Sequence, residues 1–309
     1  MTRALLITNP AAARTDARAI AAVRDVLHSG GWTIELAVTT ADGGARRLAE
    51  RGRDEGFDAV LSYGGDGTAM QIAGAIAGTG IPLGLLPGGT GNVLAGNLRL
   101  PRQPVAAAQA ILRHRPITID LGTVTRGDGV HHFAVCCGSG FDATLMKRTD
   151  TASKRRWRRA AYVRTALTSL PGVKSTPVRV TIDGSETRLD AAMVLVCNCA
   201  DLMPPLLRVH ADIRPDDGVL DVVVLRATGA WQSITAFSEL VFGGRPRQVW
   251  RGRGRTVRVA LDSEGGDLPV QLDGELIGTT PLEAQVLPGA LRVLVDPADL
   301  PRNLTRPVT

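Results

Sequence analysis

Two glycine-rich segments, each closing an apolar run, constrain this chain more than any other feature. Gly64-Gly65-Asp66-Gly67-Thr68 follows the run at residues 59–63, and Pro87-Gly88-Gly89-Thr90-Gly91-Asn92 follows the run at 83–86. A short apolar run that enters a loop and then a helix-like segment predicts a parallel strand. The loops after such strands gather at the carboxyl edge of the sheet, where open α/β folds bind ligands. Glycines let the backbone approach a polyanion and turn its N–H groups toward it. The helix that follows adds unpaired N–H groups and the positive end of its dipole. A carboxylate among such amides would repel phosphate, so Asp66 is expected to partner Mg²⁺ or its water shell. The pair of loops reads as a nucleoside-triphosphate site. For one loop alone the alternative is a tight strand–helix turn with Asp66 as an N-cap. Two loops in the same context, each carrying a threonine, speak against it.

Around this pair the chain alternates strand and helix. Strands are expected at residues 4–8, 33–38, 59–63 and 83–86. Between them, Ile20, Val23 and Leu27 recur at helical spacing before His28-Ser29-Gly30-Gly31 ends the helix. Further helices are expected at 45–55 with Leu48 inward, at the alanine-rich stretch holding Met70, Ile72 and Ile76, and at 105–112. This order predicts a parallel sheet covered on both faces.

From about Ile117 the pattern changes. Hairpin turns at Gly127-Asp128-Gly129, Asp183-Gly184 and Asp273-Gly274 are flanked by β-branched runs. Strands are expected at 178–182, 192–197, 220–225, 256–261 and 291–295, with helices at 160–170 and 231–242. An antiparallel β-sandwich is the expected architecture. The predicted division is an α/β domain over residues 1–116, a β-rich domain over 117–295, and a polar terminal segment over 296–309.

Composition narrows the partners. A length of 309 residues suits about two domains. No apolar run is long enough to cross a bilayer, and residues 1–10 do not form a signal peptide, so the cytoplasm is the expected location. The net charge of +6 is compatible with nucleotides, anionic lipid surfaces or nucleic acid. No zinc finger, RNP aromatics or helix-turn-helix signature accompanies it, which excludes nucleic acid and leaves nucleotide and membrane. Cys136-Cys137 and Cys197-X-Cys199 lack the Cys-X2-Cys spacing of a zinc site. Adjacent strand residues point to opposite faces, so these read as buried core thiols. The histidines form no nucleophile or metal constellation.

Five further motifs join the two loops. Asn9-Pro10 follows the first strand, and Asp120-Leu121-Gly122 opens the second half. Gly138-Ser139-Gly140-Phe141-Asp142-Ala143, then Asp216-Asp217-Gly218-Val219-Leu220-Asp221-Val222, and finally Asp273-Gly274-Glu275 complete the series. GGDGT alone is shared with NAD kinases. The ordered set, which spans nearly the whole chain, resembles the diacylglycerol kinase catalytic-domain family of bacterial lipid kinases, related to the sphingosine and ceramide kinases. There are two departures: Ala69-Met70-Gln71 stands where the family often has Asn and a Glu, and Leu202-Met203-Pro204-Pro205 replaces a glycine-rich turn.

The resemblance implies a Rossmann-like α/β domain of the NAD kinase type, a β-sandwich, and a C-terminal segment that returns to the first domain. It implies ATP and Mg²⁺, with nucleotide contacts from Asn9, Thr39, Gly64, Gly65, Asp66, Gly67, Thr68, Gly89 and Thr90. For Thr39 and Thr40 an N-cap in Thr-Thr-Ala-Asp is the open alternative. Glu275 is implied as the general base that takes the proton of an acceptor hydroxyl, beside Asp66 in the chemistry. Asp120 is expected to support the site. A structural Mg²⁺ is implied at the Asp217 carboxylate and the backbone carbonyls of Arg214 and Val219, oxygen ligands that suit a hard cation; a solvated turn is the alternative.

The expected substrate is a lipid at a membrane surface. Lys154-Arg155-Arg156-Trp157-Arg158-Arg159 would make the peripheral contact, with residues 202–207 as an apolar wall. The expected activity is that of an ATP- and Mg²⁺-dependent lipid kinase. An NAD kinase and a catalytically weak nucleotide- or lipid-binding regulator are the rivals, and a homo-oligomer is compatible with the sequence.

Overall fold

The computed structural model describes residues 1–40, 44–140, 175–204, 207–227, 232, 235, 248–262, 266–298 and 304. The chain divides into two compact units, Met1–Leu121 with Pro288–Thr309, and Gly122–Leu287.

In the first unit β1 (Arg3–Thr8), α1 (Ala17–Ser29), β2 (Thr33–Val38), α2 (Gly44–Asp54) and β3 (Ala59–Gly64) alternate. They are followed by α3 (Asp66–Ile76), β4 (Leu83–Pro87), α4 (Val93–Asn97) and α5 (Pro104–Leu112). β1 pairs in parallel with both β2 and β3, and β3 pairs in parallel with β4, so the order is β2-β1-β3-β4. Every residue of β3 and β4 is buried, as expected of strands covered on both faces. On one face α1 and α5 close over Leu6, Leu61 and Tyr63. On the other, α2 packs beside α3, and a Cβ on Gly52 of α2 would lie 2.9 Å from Leu5.

Small residues set that close approach. Gly44, Ala45, Ala49 and Gly52 are the buried residues of α2, while Leu48, expected inward, is only half-buried. Asp16 starts α1 by accepting the Ala19 amide at 2.9 Å. Gly31, at φ 81°, follows its end.

The second unit begins within β5 (Arg115–Arg126) and ends within β18 (Leu282–Val295). Between them lie β6 (Gly129–Phe133), β7 (Cys136–Gly140), β8 (Thr176–Ile182), β9 (Ser185–Ala191), β10 (Met193–Cys197) and β11 (Asp201–Met203). Then follow β12 (Leu207–Arg208), β13 (Leu220–Leu225), β14 (Val249–Gly254), β15 (Thr256–Leu261), β16 (Pro269–Leu272) and β17 (Glu275–Thr279). An antiparallel sheet runs β14-β13-β10-β7-β16-β17. Facing it, β15 pairs with β8 and with the first part of β18, β8 pairs with β9, and β5 with β6. One apolar core joins the two layers, with Val180, Val259 and Leu282 from one and Val196, Val222 and Val270 from the other. This is the expected β-sandwich. The hairpin at Asp183-Gly184 has φ 47° and 85°, and that at Asp273-Gly274 has 44° and 91°, both left-handed pairs that favour Asp-Gly.

The limits of the compact units fall inside strands, at 121/122 and 287/288. β5 and β18 are 12 and 14 residues long, so no turn marks the limit in the sequence. The chain returns to the first unit at Pro288, and Val293 of β18 pairs in parallel with Leu83. Asp120, expected to support the site, is buried and accepts the Gly289 amide at 2.7 Å within this unit. All four cysteines are buried and outside any disulfide, and burial pushes the Cys137 thiol up. The expected helices at 160–170 and 231–242, the basic cluster at 154–159, Phe141-Asp142-Ala143 and Pro205-Leu206 lie outside the described residues, Gln232 and Thr235 excepted.

Candidate functional site

Because β1, β2, β3 and β4 are parallel, the residues that follow them share one edge of the first unit's sheet. Asn9, Thr39, Gly65 and Gly88 stand there, each one residue past its strand. The two glycine loops interlock at this edge. The amides of Gly88 and Gly89 donate to the Gly64 carbonyl at 2.8 and 3.0 Å. A Cβ on Gly89 would lie 2.7 Å from the Gly65 Cα, so the loops touch backbone to backbone. From the first loop Asp66 reaches into the second: its carboxylate accepts the amides of Asn92 at 2.7 Å and Val93 at 2.5 Å. Asn92, at φ 50°, turns its side chain back on Gly89, accepting the amide at 3.1 Å and donating to the carbonyl at 2.7 Å. Ser62, Gly64, Gly65, Asp66 and Asn92 line a small hollow there.

A third loop braces the pair. The Asn9 side-chain amide donates to the Thr68 hydroxyl at 3.2 Å while its oxygen accepts the Ala11 amide at 2.9 Å. The Thr15 hydroxyl donates to the Asn9 carbonyl at 2.7 Å, and the Arg14 amide donates to the Gly88 carbonyl at 3.0 Å. The Tyr63 hydroxyl donates to the Arg14 carbonyl at 2.5 Å, and burial pushes this phenol up. Thr39 donates its amide to the Thr8 carbonyl at 2.9 Å. A Cβ on Gly44 would meet the Thr40 hydroxyl at 2.9 Å, so Thr40 sits against the start of α2. Thr90 is partly exposed in the second loop. Sequence reasoning missed Thr15, Tyr63 and Asn92 as organisers of the site. Only Asn92 carried a signal, as the last residue of the second glycine motif.

The start of α3 at Gly65 has no side-chain cap. The glycine cradle, the start of α3 without a side-chain cap and Thr68 together fit a nucleotide phosphate chain. The charge of Asp66 is offset by two amides, so a metal is not required to balance it. A carboxylate has about four acceptor positions, which two amides do not exhaust. Mg²⁺ is commonly held by one or two carboxylates plus substrate phosphates, so Asp66 still fits a Mg²⁺–nucleotide.

In the second unit the Asp273-Gly274-Glu275 motif divides its labour. The Asp273 carboxylate accepts the amides of Ala134, Val135 and Cys136 at 2.9, 3.0 and 2.8 Å. The Gly274 amide donates to Gln271 at 2.7 Å. Asp273 therefore fixes the hairpin to the start of β7. Glu275 opens β17, is exposed, and makes no ion pair among the described residues. Its carboxylate is available to a ligand.

Residues 3–124 match the family model of the diacylglycerol kinase catalytic domain, and residues 135–295 match that of the YegS C-terminal NAD kinase beta sandwich-like domain. The chain belongs to the diacylglycerol kinase catalytic-domain family. A diacylglycerol kinase of Mycobacterium tuberculosis is 30% identical over 309 residues, covering 93% of each chain. A Pseudomonas aeruginosa protein named "Probable lipid kinase YegS-like" is 32% identical over 282 residues, 89% of this chain and 87% of its own. The fold is shared with a crystal structure of a diacylglycerol kinase from Bacillus anthracis, at a TM-score of 0.74 and 21% identity over 96% of this chain and 98% of that one.

One expectation carried from the family concerns the acidic turn before β13, where Asp217 was to act through its carboxylate and Arg214 and Val219 through their backbone carbonyls. Arg214, Asp217 and Val219 were the expected Mg²⁺ ligands. Instead, the Asp217 carboxylate is paired with the Arg253 guanidinium and accepts the Val219 amide at 3.4 Å. Arg214 turns to Asp216, with its guanidinium at 3.0 and 2.9 Å from the two oxygens. A cation already faces the carboxylate, so these residues do not fit a bound Mg²⁺.

Proposed function

We propose that this chain is an ATP- and Mg²⁺-dependent lipid kinase that phosphorylates a hydroxyl of diacylglycerol or a related lipid at a membrane surface. The interlocking of the two glycine loops through Asp66, beside the uncapped start of α3, is the observation that carries this reading. Phosphoryl transfer asks mainly for positioning and charge stabilisation. Gly64, Gly65, Gly67 and Gly89 give the phosphates access to backbone N–H groups, and Asn9, Thr39, Thr68 and Thr90 complete the cradle. Asp66 is the carboxylate that would hold Mg²⁺ or its water, and the ion would supply positive charge to the phosphates. The acceptor oxygen bonds to the γ-phosphorus while the bond to the β–γ bridging oxygen breaks and ADP leaves. Glu275 takes the hydroxyl proton, a role supported by its exposure and its freedom from an ion pair among the described residues.

The names of the relatives support a lipid acceptor. Lys154, Arg155, Arg156, Arg158 and Arg159 around Trp157 have the composition of a contact with anionic lipid. No helix among the described residues is long and apolar enough to cross a membrane. A phosphate-transfer assay with labelled ATP across a lipid panel, with NAD included, tests the proposal. Transfer to diacylglycerol or a neighbouring lipid is the expected result, and transfer to NAD alone overturns it.

A further inference from the structure

The acidic turn before β13 gathers three carboxylates and three guanidinium groups. Asp216 pairs with Arg214, Asp217 pairs with Arg253, and Asp221 lies 3.1 Å from Arg253 Nε and 3.4 Å from Arg251 Nη2. The register explains the convergence. β13 and β14 are antiparallel, with Asp221 opposite Arg253 and Val223 opposite Arg251. Strand residues two apart share a face, so both arginines lie over the Asp221 side of β13. Gly252 and Gly254 take the other face, where a Cβ on either would collide with Ile182. The alternation Arg251-Gly252-Arg253-Gly254 therefore serves two surfaces at once.

We infer that arginine replaces a structural divalent cation in this chain: the Arg253 guanidinium joins Asp217 to Asp221, and the second unit holds this turn without bound metal. One guanidinium reaching two carboxylates makes the bridge that a metal ion would make. Its planar fork suits carboxylates and stays charged at every working pH. Carboxylates and guanidinium groups balance here, so an added Mg²⁺ would face uncompensated repulsion from Arg253 and Arg251. Mg²⁺ also demands a near-octahedral shell of oxygens. Asp221 Oδ2 is buried without a hydrogen-bond partner, and its carboxylate stands beside the Arg251 and Arg253 guanidinium groups. Because the cation is part of the chain, the turn cannot be emptied by a chelator.

The test needs no lipid and does not depend on the kinase reading. Nucleotide-free protein is titrated with MgCl2 in a calorimeter and melted in MgCl2 and in EDTA, alongside Asp217→Asn. The melting temperature of the unaltered chain is expected to be the same in both media, and any Mg²⁺ heat is expected to persist in Asp217→Asn. Arg253→Gln is expected to melt lower in EDTA by about 5 °C, a loss MgCl2 partly restores as the two carboxylates recruit a cation. Arg253→Lys is expected to remain insensitive to chelation. A Mg²⁺ site in the unaltered chain that disappears in Asp217→Asn, with a melting temperature that falls in EDTA, would overturn the inference. An Arg253→Gln chain as stable as the original would do the same, and if that variant fails to fold, the Asp217→Asn titration decides alone.

Discussion

Asp66 and Asp273 both accept backbone amides, whereas Glu275 is exposed and makes no ion pair among the described residues, and the difference sets what each substitution does. Asp66→Asn keeps one acceptor oxygen and loses the charge, so one amide of the second loop is left without a strong partner. The variant is expected to stay folded and to lose nearly all phosphate transfer. Near-normal turnover with Mg²⁺-ATP, in a variant whose circular dichroism is unchanged, would sink the assignment. Glu275→Gln is expected to lower turnover by about two orders of magnitude or more while ATP binding is kept. Lost ATP affinity with unchanged saturating turnover would make Glu275 a binding residue instead. Asp273→Ala leaves the amides of Ala134, Val135 and Cys136 without their acceptor. At about 1–3 kcal/mol for each unsatisfied group, it is expected to cost roughly 3 kcal/mol or more, read as a lower urea midpoint. An unchanged midpoint would show that water replaces the carboxylate.

At the scale of elements, close backbone approach decides more than side-chain volume. The two glycine loops meet where a Cβ on Gly89 would stand 2.7 Å from the Gly65 Cα, and no rotamer change relieves a clash between backbones. Gly89→Ala must therefore push the loops apart and loosen the Asp66 bridge. The expected result is a KM for ATP raised by about tenfold, equivalent to about 1.4 kcal/mol, with the melting temperature little changed. A KM within error of the original would mean that phosphate does not bind in this cradle. The same rule explains α2, whose buried face is made of Gly44, Ala45, Ala49 and Gly52. Reading Leu48 as its inward residue follows hydrophobicity, but the helix lies so close to β1 that small residues take the contact.

At the scale of the whole molecule, the proposed lipid kinase requires a contact with its substrate's membrane, and no helix among the described residues is long and apolar enough to cross one. The proposed contact is the cluster of Lys154, Arg155, Arg156, Arg158 and Arg159 around Trp157. Cations of this density are costly to bury and are each worth about 1 kcal/mol near an anionic surface. Replacing the four arginines with glutamine is expected to weaken binding to anionic vesicles and to flatten its salt dependence, since screening acts on exposed charges. Activity toward a short-chain, water-soluble acceptor is expected to survive. Unchanged vesicle binding, or an equal loss on the soluble acceptor, would assign the cluster to the fold or to the chemistry.

Sequence by itself determined the alternation of strand and helix up to α5, the Asp-Gly hairpins, the buried thiols and the two phosphate-type loops. Each of these is written in a local pattern: a run of apolar residues, a left-handed turn, a glycine where backbone must come close. Tertiary structure decided the rest, because pairing between distant segments leaves no local mark. It placed the unit limits inside β5 and β18, where the chain continues as strand through both units. It turned Asp66 onto the second loop and Asp273 onto β7, contacts set by residues 26 and 137 positions away. It set Arg253 opposite Asp221, so a motif that promises a metal ligand is met by a guanidinium from the next strand. A carboxylate's role depends on which charge folds against it, and that partner is chosen by strand register.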